Sequence, residues 1–313
     1  MVLVYWAAAI AGAQQPGPAD TVACVHELRY ESFAGLILVS VTIADSPPMD
    51  FVLDSGASQS SVTDPYLAAS LGLNPHSAGL ARGVGSGATE VLVADDACIY
   101  ADGAEVLCTQ LVVHDIGVRL AAVAGRDIHG FLGSDLFRRW VVEIDPSEQR
   151  LLLHPPEIFD PAARGELLPL ELEGNRAVVQ AEVLTVGAKK PLPVRLVVDT
   201  GSGRFLTLIS GSKRRLKPPE NRSIGASVGV VGETLVAVAP VARLTVGGRV
   251  VEEVEAAWME GYQIPAVRNI PKLNGILGNA FLGLFHTTID YSNGWMVLGE
   301  AYGYPDTPNE NSD

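Results

Sequence analysis

The chain contains two halves that match each other at a constant offset, which places residue 54 on residue 199. The matching segments, first half before second half, are Asp54-Ser55-Gly56 with Asp199-Thr200-Gly201, Phe51-Val52-Leu53 with Leu196-Val197-Val198, Phe131-Leu132-Gly133 with Ile276-Leu277-Gly278, and Ile144-Asp145 with Ile289-Asp290. Asp54 precedes Gly133 by the same distance along the chain at which Asp199 precedes Gly278. Such a repeat predicts two copies of one structural unit. An approximate twofold axis between the copies would bring equivalent residues together.

Short apolar runs separated by turn residues predict an all-β protein. The predicted strands cover residues 36–43, 50–53, 90–93, 106–114, 140–145 and 151–154. Helix is expected only in short pieces, from Asp64 to Leu73 with Pro65 at the first position, and for one turn at Leu136–Arg139.

The repeat also predicts the domain organisation. Residues 26–156 form a first lobe and residues 166–302 a second lobe, joined by a linker at 157–165 that follows Pro155-Pro156. Residues 303–313 are expected to be a disordered tail. The predicted fold class is therefore all-β and bilobal, with two homologous β-barrel lobes and a cleft between them.

Composition restricts the classes of function. Hydrophobic residues make up 48% of the 313 residues, enough for a large core, and the net charge is −14. Nucleic acid and anionic lipid both require a basic surface, so neither is expected as a partner. No metal-ligand spacing appears among the three cysteines and six histidines, and no cofactor is predicted.

Residues 1–22 resemble a secretory signal peptide followed by a mobile segment. An apolar run from Val2 to Ile10 precedes Ala11-Gly12-Ala13, a small-residue cleavage pattern, although no Lys or Arg precedes the run. The run is too short to span a bilayer comfortably, so membrane attachment is expected only if this segment stays uncleaved. Export to the periplasm or the extracellular space is the predicted localisation.

Cys98 and Cys108 flank a turn at Asp102-Gly103. A three-residue loop at 102–104 would place the two cysteines opposite each other, and a cross-strand disulfide would then form in an oxidising compartment. Two buried thiols are an equally acceptable interpretation.

Asp54 and Asp199 are the candidate catalytic residues. A single Asp-Ser/Thr-Gly tripeptide is common and usually marks a loop aspartate that caps a turn. Here each copy follows an apolar strand at the same distance from an apolar-apolar-Gly segment. Two adjacent carboxyls share one proton, so one can act as a general base and the other as a general acid. The Ser55 and Thr200 hydroxyls are expected to hold the two loops in register.

These motifs resemble the aspartic peptidase superfamily of pepsins and retropepsins, and in particular bacterial retropepsin-like proteins with two such units in one chain. The segments that carry the resemblance are residues 51–58 with 130–137, and 196–202 with 274–281. The resemblance implies a pepsin-like architecture of two retropepsin-like lobes and hydrolysis of peptide bonds by a water that the Asp54/Asp199 pair activates. The expected partner is a peptide or an unfolded protein. A monomer is expected because one chain supplies both aspartates.

The resemblance also implies roles for the surrounding residues. The implied residues are Ser55, Gly56, Thr200, Gly201 and Ser202 as support of the aspartate pair, Leu132, Gly133, Leu277 and Gly278 in the ψ-shaped crossings, and Gly85, Ser86 and Gly87 in a flap.

Three positions depart from the pepsin pattern: Ala57, Gly203 and a flap segment, 83–89, without tyrosine. Retropepsins also have alanine at the position of Ala57, but Gly203 and the missing flap tyrosine support the alternative of a catalytically weak or inactive peptide-binding module that keeps the fold. Gly225-Ala-Ser-Val-Gly229 matches a serine hydrolase motif, but no helix is expected after the serine. Asp135 has Ala280 as its counterpart and is interpreted as a local cap.

Overall fold

The computed structural model describes residues 3–4, 25–82, 88–229, 232–260 and 270–302. Strands account for 54% and helices for 10% of the structure, which forms two closed six-stranded barrels. The all-β, bilobal prediction is confirmed, and the architecture is consistent with a pepsin-like fold.

The strands of the first half are β1 (Leu3–Val4), β2 (His26–Phe33), β3 (Leu36–Ile43), β4 (Met49–Leu53), β5 (Ser61–Val62), β6 (His76–Arg82), β7 (Ala88–Ala101), β8 (Ala104–Val113), β9 (Gly130–Leu132), β10 (Val141–Asp145) and β11 (Arg150–His154). Those of the second half are β12 (Leu168–Pro169), β13 (Glu171–Glu173), β14 (Arg176–Thr185), β15 (Leu192–Asp199), β16 (Leu206–Ser210), β17 (Ser223–Gly229), β18 (Gly232–Val246), β19 (Arg249–Glu260), β20 (Gly275–Gly278), β21 (Phe285–Asp290) and β22 (Trp295–Ala301). The helices are α1 (Pro65–Ser70), α2 (Gly117–Ala124), α3 (Ser134–Arg139) and α4 (Asn279–Leu282), with a 3₁₀ turn at Pro161–Ala163.

The strands form two sheets. The nine-stranded sheet has the order β1-β17-β18-β19-β16-β20-β15-β14-β13, and the thirteen-stranded sheet has the order β12-β22-β21-β10-β11-β2-β3-β4-β9-β5-β8-β7-β6. In each lobe a short strand that follows the long hairpins inserts next to the strand that leads into an aspartate motif. These insertions are the parallel pairs β4–β9 and β15–β20.

The two lobes meet at β10 and β21, which pair antiparallel. Glu143 pairs with Thr288, its own counterpart in the repeat, and Val142 and Ile144 pair with Ile289 and Thr287. The approximate twofold axis therefore passes between Glu143 and Thr288. Because these strands lie in one continuous sheet, the lobes share backbone hydrogen bonds as well as an apolar core.

The repeat offset is not constant along the chain. Val39 pairs with Phe51 in the first lobe, and Val179 pairs with Leu196 in the second. The offset is therefore larger for the aspartate strands than for the hairpins that precede them. Most of the extra residues lie in the β14–β15 hairpin, whose strands pair for two residues more than those of β3–β4. By the smaller offset of the preceding hairpins, Arg176 is the counterpart of Leu36, and each is the first strand residue after the hairpin tip.

Several local predictions differ from the structure. The Asp102–Gly103 turn has two residues, with Ala101 opposite Ala104, and an irregularity between Ile99 and Tyr100 restores the pairing of Cys98 with Cys108. Residues 90–93 belong to the longer strand β7, and α2 was not predicted. The segment that forms α2 is short and begins with a glycine, so its sequence gave little indication of a helix.

The proposed signal segment, 1–22, and the tail, 303–313, lie outside the described residues except for Leu3–Val4. That short strand runs parallel to Val228–Gly229. Among the described residues, no helix has the length and apolar character needed to cross a membrane.

Glu143 is a buried acid at the junction of the lobes, with 2% of its side chain exposed. Its carboxylate accepts hydrogen bonds from His154 Nε2 at 2.8 Å, His286 Nε2 at 2.7 Å and Arg164 Nη2 at 3.1 Å. Burial raises the pKa of Glu143, but these hydrogen bonds and the Arg164 charge outweigh it, and the pKa lies below the ordinary value.

We expect Glu143→Gln to lower the free energy of unfolding at pH 7 by about 3 kcal/mol, because it leaves Arg164 and the two histidine donors without their buried anion. A carboxyl whose folded pKa is lowered stabilises above its unfolded pKa, and that stability is lost as the pH falls. The difference in free energy of unfolding between wild type and variant should therefore shrink as the pH falls below 4.5, the ordinary pKa of a glutamate. Denaturant unfolding across this range measures it, with the exposed Glu148→Gln as control. Equal stability of the two proteins at pH 7 would contradict the expectation.

Candidate active site

Asp54 and Asp199 lie at the ends of equivalent strands in the two lobes. β4 ends at Leu53, directly before Asp54, and β15 ends at Asp199 itself. The Asp54 N–H donates to Leu132 O at 2.9 Å, and Asp199 lies opposite Gly278 in the parallel register. Each aspartate is thus held where its strand meets the inserted strand.

The two loops contact each other through their glycines. A Cβ added at Gly56 would lie 2.5 Å from Asp199 Cγ, and a Cβ at Gly201 would clash in the same way with Asp54 Cγ. Each carboxyl therefore rests on the glycine of the opposite loop. No other amino acid leaves room for this arrangement, which brings together two carboxyls from opposite halves of the chain.

Ser55 and Thr200 join the loops by four reciprocal hydrogen bonds. The Ser55 N–H donates to Thr200 Oγ1 at 2.9 Å, and the Thr200 N–H donates to Ser55 Oγ at 3.0 Å. The hydroxyls in turn donate across the junction, Ser55 Oγ to Val198 O at 2.9 Å and Thr200 Oγ1 to Leu53 O at 2.8 Å. Both side chains are fully buried, so breaking either hydroxyl pair would leave backbone amides unsatisfied.

Burial dominates the electrostatics of the pair, since Asp54 is 1% and Asp199 4% exposed. Burial raises the pKa of Asp54 to about 6, against the lowering effects of the Ala57 and Gly56 amides and of the Arg176 charge. Burial and the neighbouring Asp54 charge raise the pKa of Asp199 well above its ordinary value. Asp54 Oδ1 accepts from the Ala57 N–H at 2.8 Å.

The two carboxyls interact with each other directly. One oxygen of each carboxyl, Asp54 Oδ2 and Asp199 Oδ1, is buried. Neither receives a hydrogen bond from any described group outside the pair. The carboxyls lie close enough for a hydrogen bond between them when one is protonated. Adjacent carboxyls with raised pKa values retain a proton in this way. The pair can therefore offer one acidic and one basic oxygen in the same place.

The predicted crossing residues lie directly behind the loops. A Cβ at Gly133 would lie 2.5 Å from Gln59 O, and one at Gly278 would lie 2.7 Å from Ser202 O. Leu132 and Leu277 are buried beside them. Equivalent hydrogen bonds run from the Ser134 N–H to Ala57 O at 3.0 Å and from the Asn279 N–H to Ser202 O at 2.6 Å.

Asp135 does more than cap its own helix. Its carboxylate accepts from the N–H of Leu136, but also from the N–H and Oγ of Ser60 at 3.0 and 2.5 Å. Ser60 Oγ accepts in turn from the Gly133 N–H. The interpretation as a local cap was therefore too narrow, because the distant contact depends on how the crossing folds.

The tips of the β2–β3 and β13–β14 hairpins pack crosswise on the opposite aspartate loops. Asn175 Nδ2 donates to Ser58 O at 3.4 Å, and a Cβ at Gly35 would lie 2.9 Å from Gly203 O. Asn279 Nδ2 donates to Gly35 O at 2.9 Å. Gly203, a departure from the pepsin pattern, thus lies where the backbones of the two lobes approach closely.

Arg176 and Tyr291 of the second lobe were missed by sequence reasoning, and both hold the first aspartate loop. Arg176 Nε donates to Gly56 O at 2.6 Å, and Tyr291 Oη donates to Ser55 O at 2.7 Å. In the sequence, Arg176 could have been noticed as a basic residue directly before the apolar run Ala177-Val178-Val179.

The remaining residues singled out in the sequence are those of the flap, Ser202 and the serine hydrolase motif. The flap residues Gly85, Ser86 and Gly87 lie outside the described residues. Ser202 is buried, and its Oγ has no hydrogen-bond partner among the described residues. Ser227 of the serine hydrolase motif lies in strand β17, paired with β18.

The structure joins Cys98 and Cys108 by a disulfide. Within the described parts of the chain, these cysteines and Glu105 are the one group with metal-ligand proximity, and the disulfide removes both thiolates from such a role. No protein-family model and no curated protein matches the chain.

We expect Asp199→Asn to stabilise the protein near neutral pH. A carboxyl whose folded pKa is raised binds its proton more tightly in the native state, so stability falls as the pH rises from the unfolded to the folded pKa. Burial and the Asp54 charge raise the pKa of Asp199 well above its ordinary value, so the wild type loses stability as the pH rises, whereas an asparagine at this position does not ionise and avoids that loss. The rise for Asp54, from 3.8 to about 6, sets the scale of such a loss at on the order of 3 kcal/mol. Thermal unfolding of both proteins from pH 4 to pH 7 measures the gain.

The gain should be near zero at pH 4 and grow towards pH 7. The exposed turn variant Asp102→Asn is the matched control and should follow the wild type throughout. A constant difference across the range would show that the carboxyls do not titrate as a buried pair.

Proposed function

We propose that this chain is an aspartic-type endopeptidase that hydrolyses peptide bonds through a water activated by Asp54 and Asp199. The observation that carries the proposal is the seating of each carboxyl on the glycine of the opposite loop. That contact places two acids of raised pKa side by side, which is the requirement for sharing a proton.

In the proposed mechanism, the pair works with one negative charge. The ionised carboxyl takes a proton from the attacking water, while the protonated carboxyl donates a hydrogen bond and then its proton to the scissile carbonyl oxygen. The roles reverse when the tetrahedral intermediate breaks down and the leaving amine is protonated. No covalent intermediate with the protein is required.

The rigid support of the loops favours this function over a general binding role. Acid–base catalysis depends on a fixed geometry between the groups that exchange protons. Here the amides, hydroxyls and glycines around both carboxyls fix that geometry from both lobes. A peptide or an unfolded protein is the proposed substrate, and a monomer is the proposed active form.

Burial also bears on the working pH. Since burial raises the pKa of Asp54 to about 6, the singly charged pair is formed nearer neutral pH than in a more exposed pair. The proposed optimum is therefore mildly acidic. The disulfide at 98–108 supports the proposal that the protein is exported to an oxidising compartment.

The test is cleavage of an unfolded protein substrate between about pH 3 and pH 8, a range that brackets the expected ionisations. We expect Asp54→Asn and Asp199→Asn each to lower kcat/KM by about 10³-fold or more, because each removes one of the two proton-transfer groups. A pepstatin-type transition-state analogue should inhibit the wild type.

Asp102→Asn, at an exposed turn, is the control and should cleave at the wild-type rate. Equal cleavage by the wild type and the Asp54→Asn/Asp199→Asn double variant would refute the catalytic role. Absence of cleavage by wild type, with retained binding of the inhibitor, would instead support a peptide-binding module.

A further inference from the structure

Arg176 is a buried cation beside the aspartate pair, with 3% of the residue exposed. Its Nε donates to Gly56 O at 2.6 Å, and its Nη1 donates to Gly174 O at 3.2 Å. Gly56 is the residue on which the Asp199 carboxyl rests. The guanidinium is therefore separated from the carboxyl pair by one peptide unit.

The approximate symmetry of the two lobes is broken at this position. In the first lobe the residue that follows the hairpin tip is Leu36, which is fully buried and apolar. In the second lobe it is Arg176. The fold can thus fill this place with an aliphatic side chain, and the guanidinium is not required by the packing of the barrel.

A buried guanidinium is costly unless an anion or well-placed acceptors compensate it. The carbonyls of Gly56 and Gly174 provide acceptors, and the aspartate pair provides the negative charge. The effect is mutual, since the Arg176 charge lowers the pKa of both carboxyls against the larger raising effect of burial.

Arg176 and Tyr291 are charged or titratable side chains of the second lobe that donate hydrogen bonds to the backbone of the first aspartate loop. Tyr291 donates its hydroxyl proton to Ser55 O and is fully buried, and burial raises its pKa. Tyr291 is therefore neutral across the working range. Arg176 therefore adds a permanent positive charge at this loop, and Tyr291 adds none.

We propose that Arg176 is a positioning residue of the aspartate pair, which fixes the Gly56 peptide and keeps one carboxyl ionised at mildly acidic pH. The catalytic consequence rests on the proposed function, but the electrostatic part does not. The cation offsets the desolvation that would otherwise leave both buried carboxyls protonated and unable to activate a water.

Two substitutions separate the charge from the hydrogen bond. Arg176→Gln keeps an N–H donor but removes the charge, whereas Arg176→Lys keeps the charge on a different donor geometry. Tyr291→Phe removes a hydrogen bond to the same loop without changing any charge. Thermal unfolding identifies the variants that fold. If Arg176→Gln does not fold, Arg176→Leu, which introduces the residue found at the counterpart position Leu36, takes its place.

The first measurement is a titration of the two carboxyls by ¹³C NMR of aspartate-labelled protein, which needs no activity. We expect Arg176→Gln to move the first ionisation of the pair to higher pH by about one unit, as for loss of a nearby opposite charge. Arg176→Lys and Tyr291→Phe should leave it in place. Equal titration of wild type and Arg176→Gln would overturn the proposal.

The second measurement is the pH profile of kcat/KM. The acidic limb of Arg176→Gln should shift upward with the titration, while Tyr291→Phe should lose activity at all pH values without a shift. A uniform loss in Arg176→Gln would mean a purely structural role and would also overturn the proposal. If wild type cleaves nothing, the proposed function fails, and the NMR titration still decides the role of Arg176.

Discussion

The reciprocal hydrogen bonds between Ser55 and Thr200 are the interaction on which the site depends. Each hydroxyl accepts from the backbone of the other loop and donates to the strand behind it. The loops can approach this closely only because Gly56 and Gly201 have no side chains. Without this junction, the two aspartates would be ordinary loop carboxyls on separate lobes.

The same approximate axis organises the molecule at a second place. At the β10–β21 pair, Glu143 faces its counterpart Thr288, and three strands of the second lobe, β12, β21 and β22, continue the sheet of the first lobe. The axis thus passes through a rigid sheet at one point and the aspartate pair at another. Because backbone hydrogen bonds fix the first point and the Ser55 and Thr200 side chains fix the second, a change in lobe orientation would strain the loop junction directly.

Symmetry is broken mainly by charged residues. Glu143 accepts hydrogen bonds from His154, His286 and Arg164, whereas its counterpart in the second lobe is Thr288. Arg176 occupies the position that Leu36 has in the first lobe. The first aspartate loop is also held by Tyr291 and by the Ser60–Asp135 pair. Two carboxyls in similar backbone settings therefore experience different surroundings, a condition for two acids to take different roles.

The sequence by itself determined the fold class, the two lobes and the aspartate pair. These follow from a repeat that survives in strand patterns and glycine positions, which local sterics constrain strongly. The tertiary structure alone decided the change of offset between the aspartate strands and the hairpins before them, the distant contact of Asp135, and the roles of Arg176 and Tyr291. Those features arise from contacts between segments far apart in the chain, and a single buried cation leaves no periodic pattern by which its partner could be found.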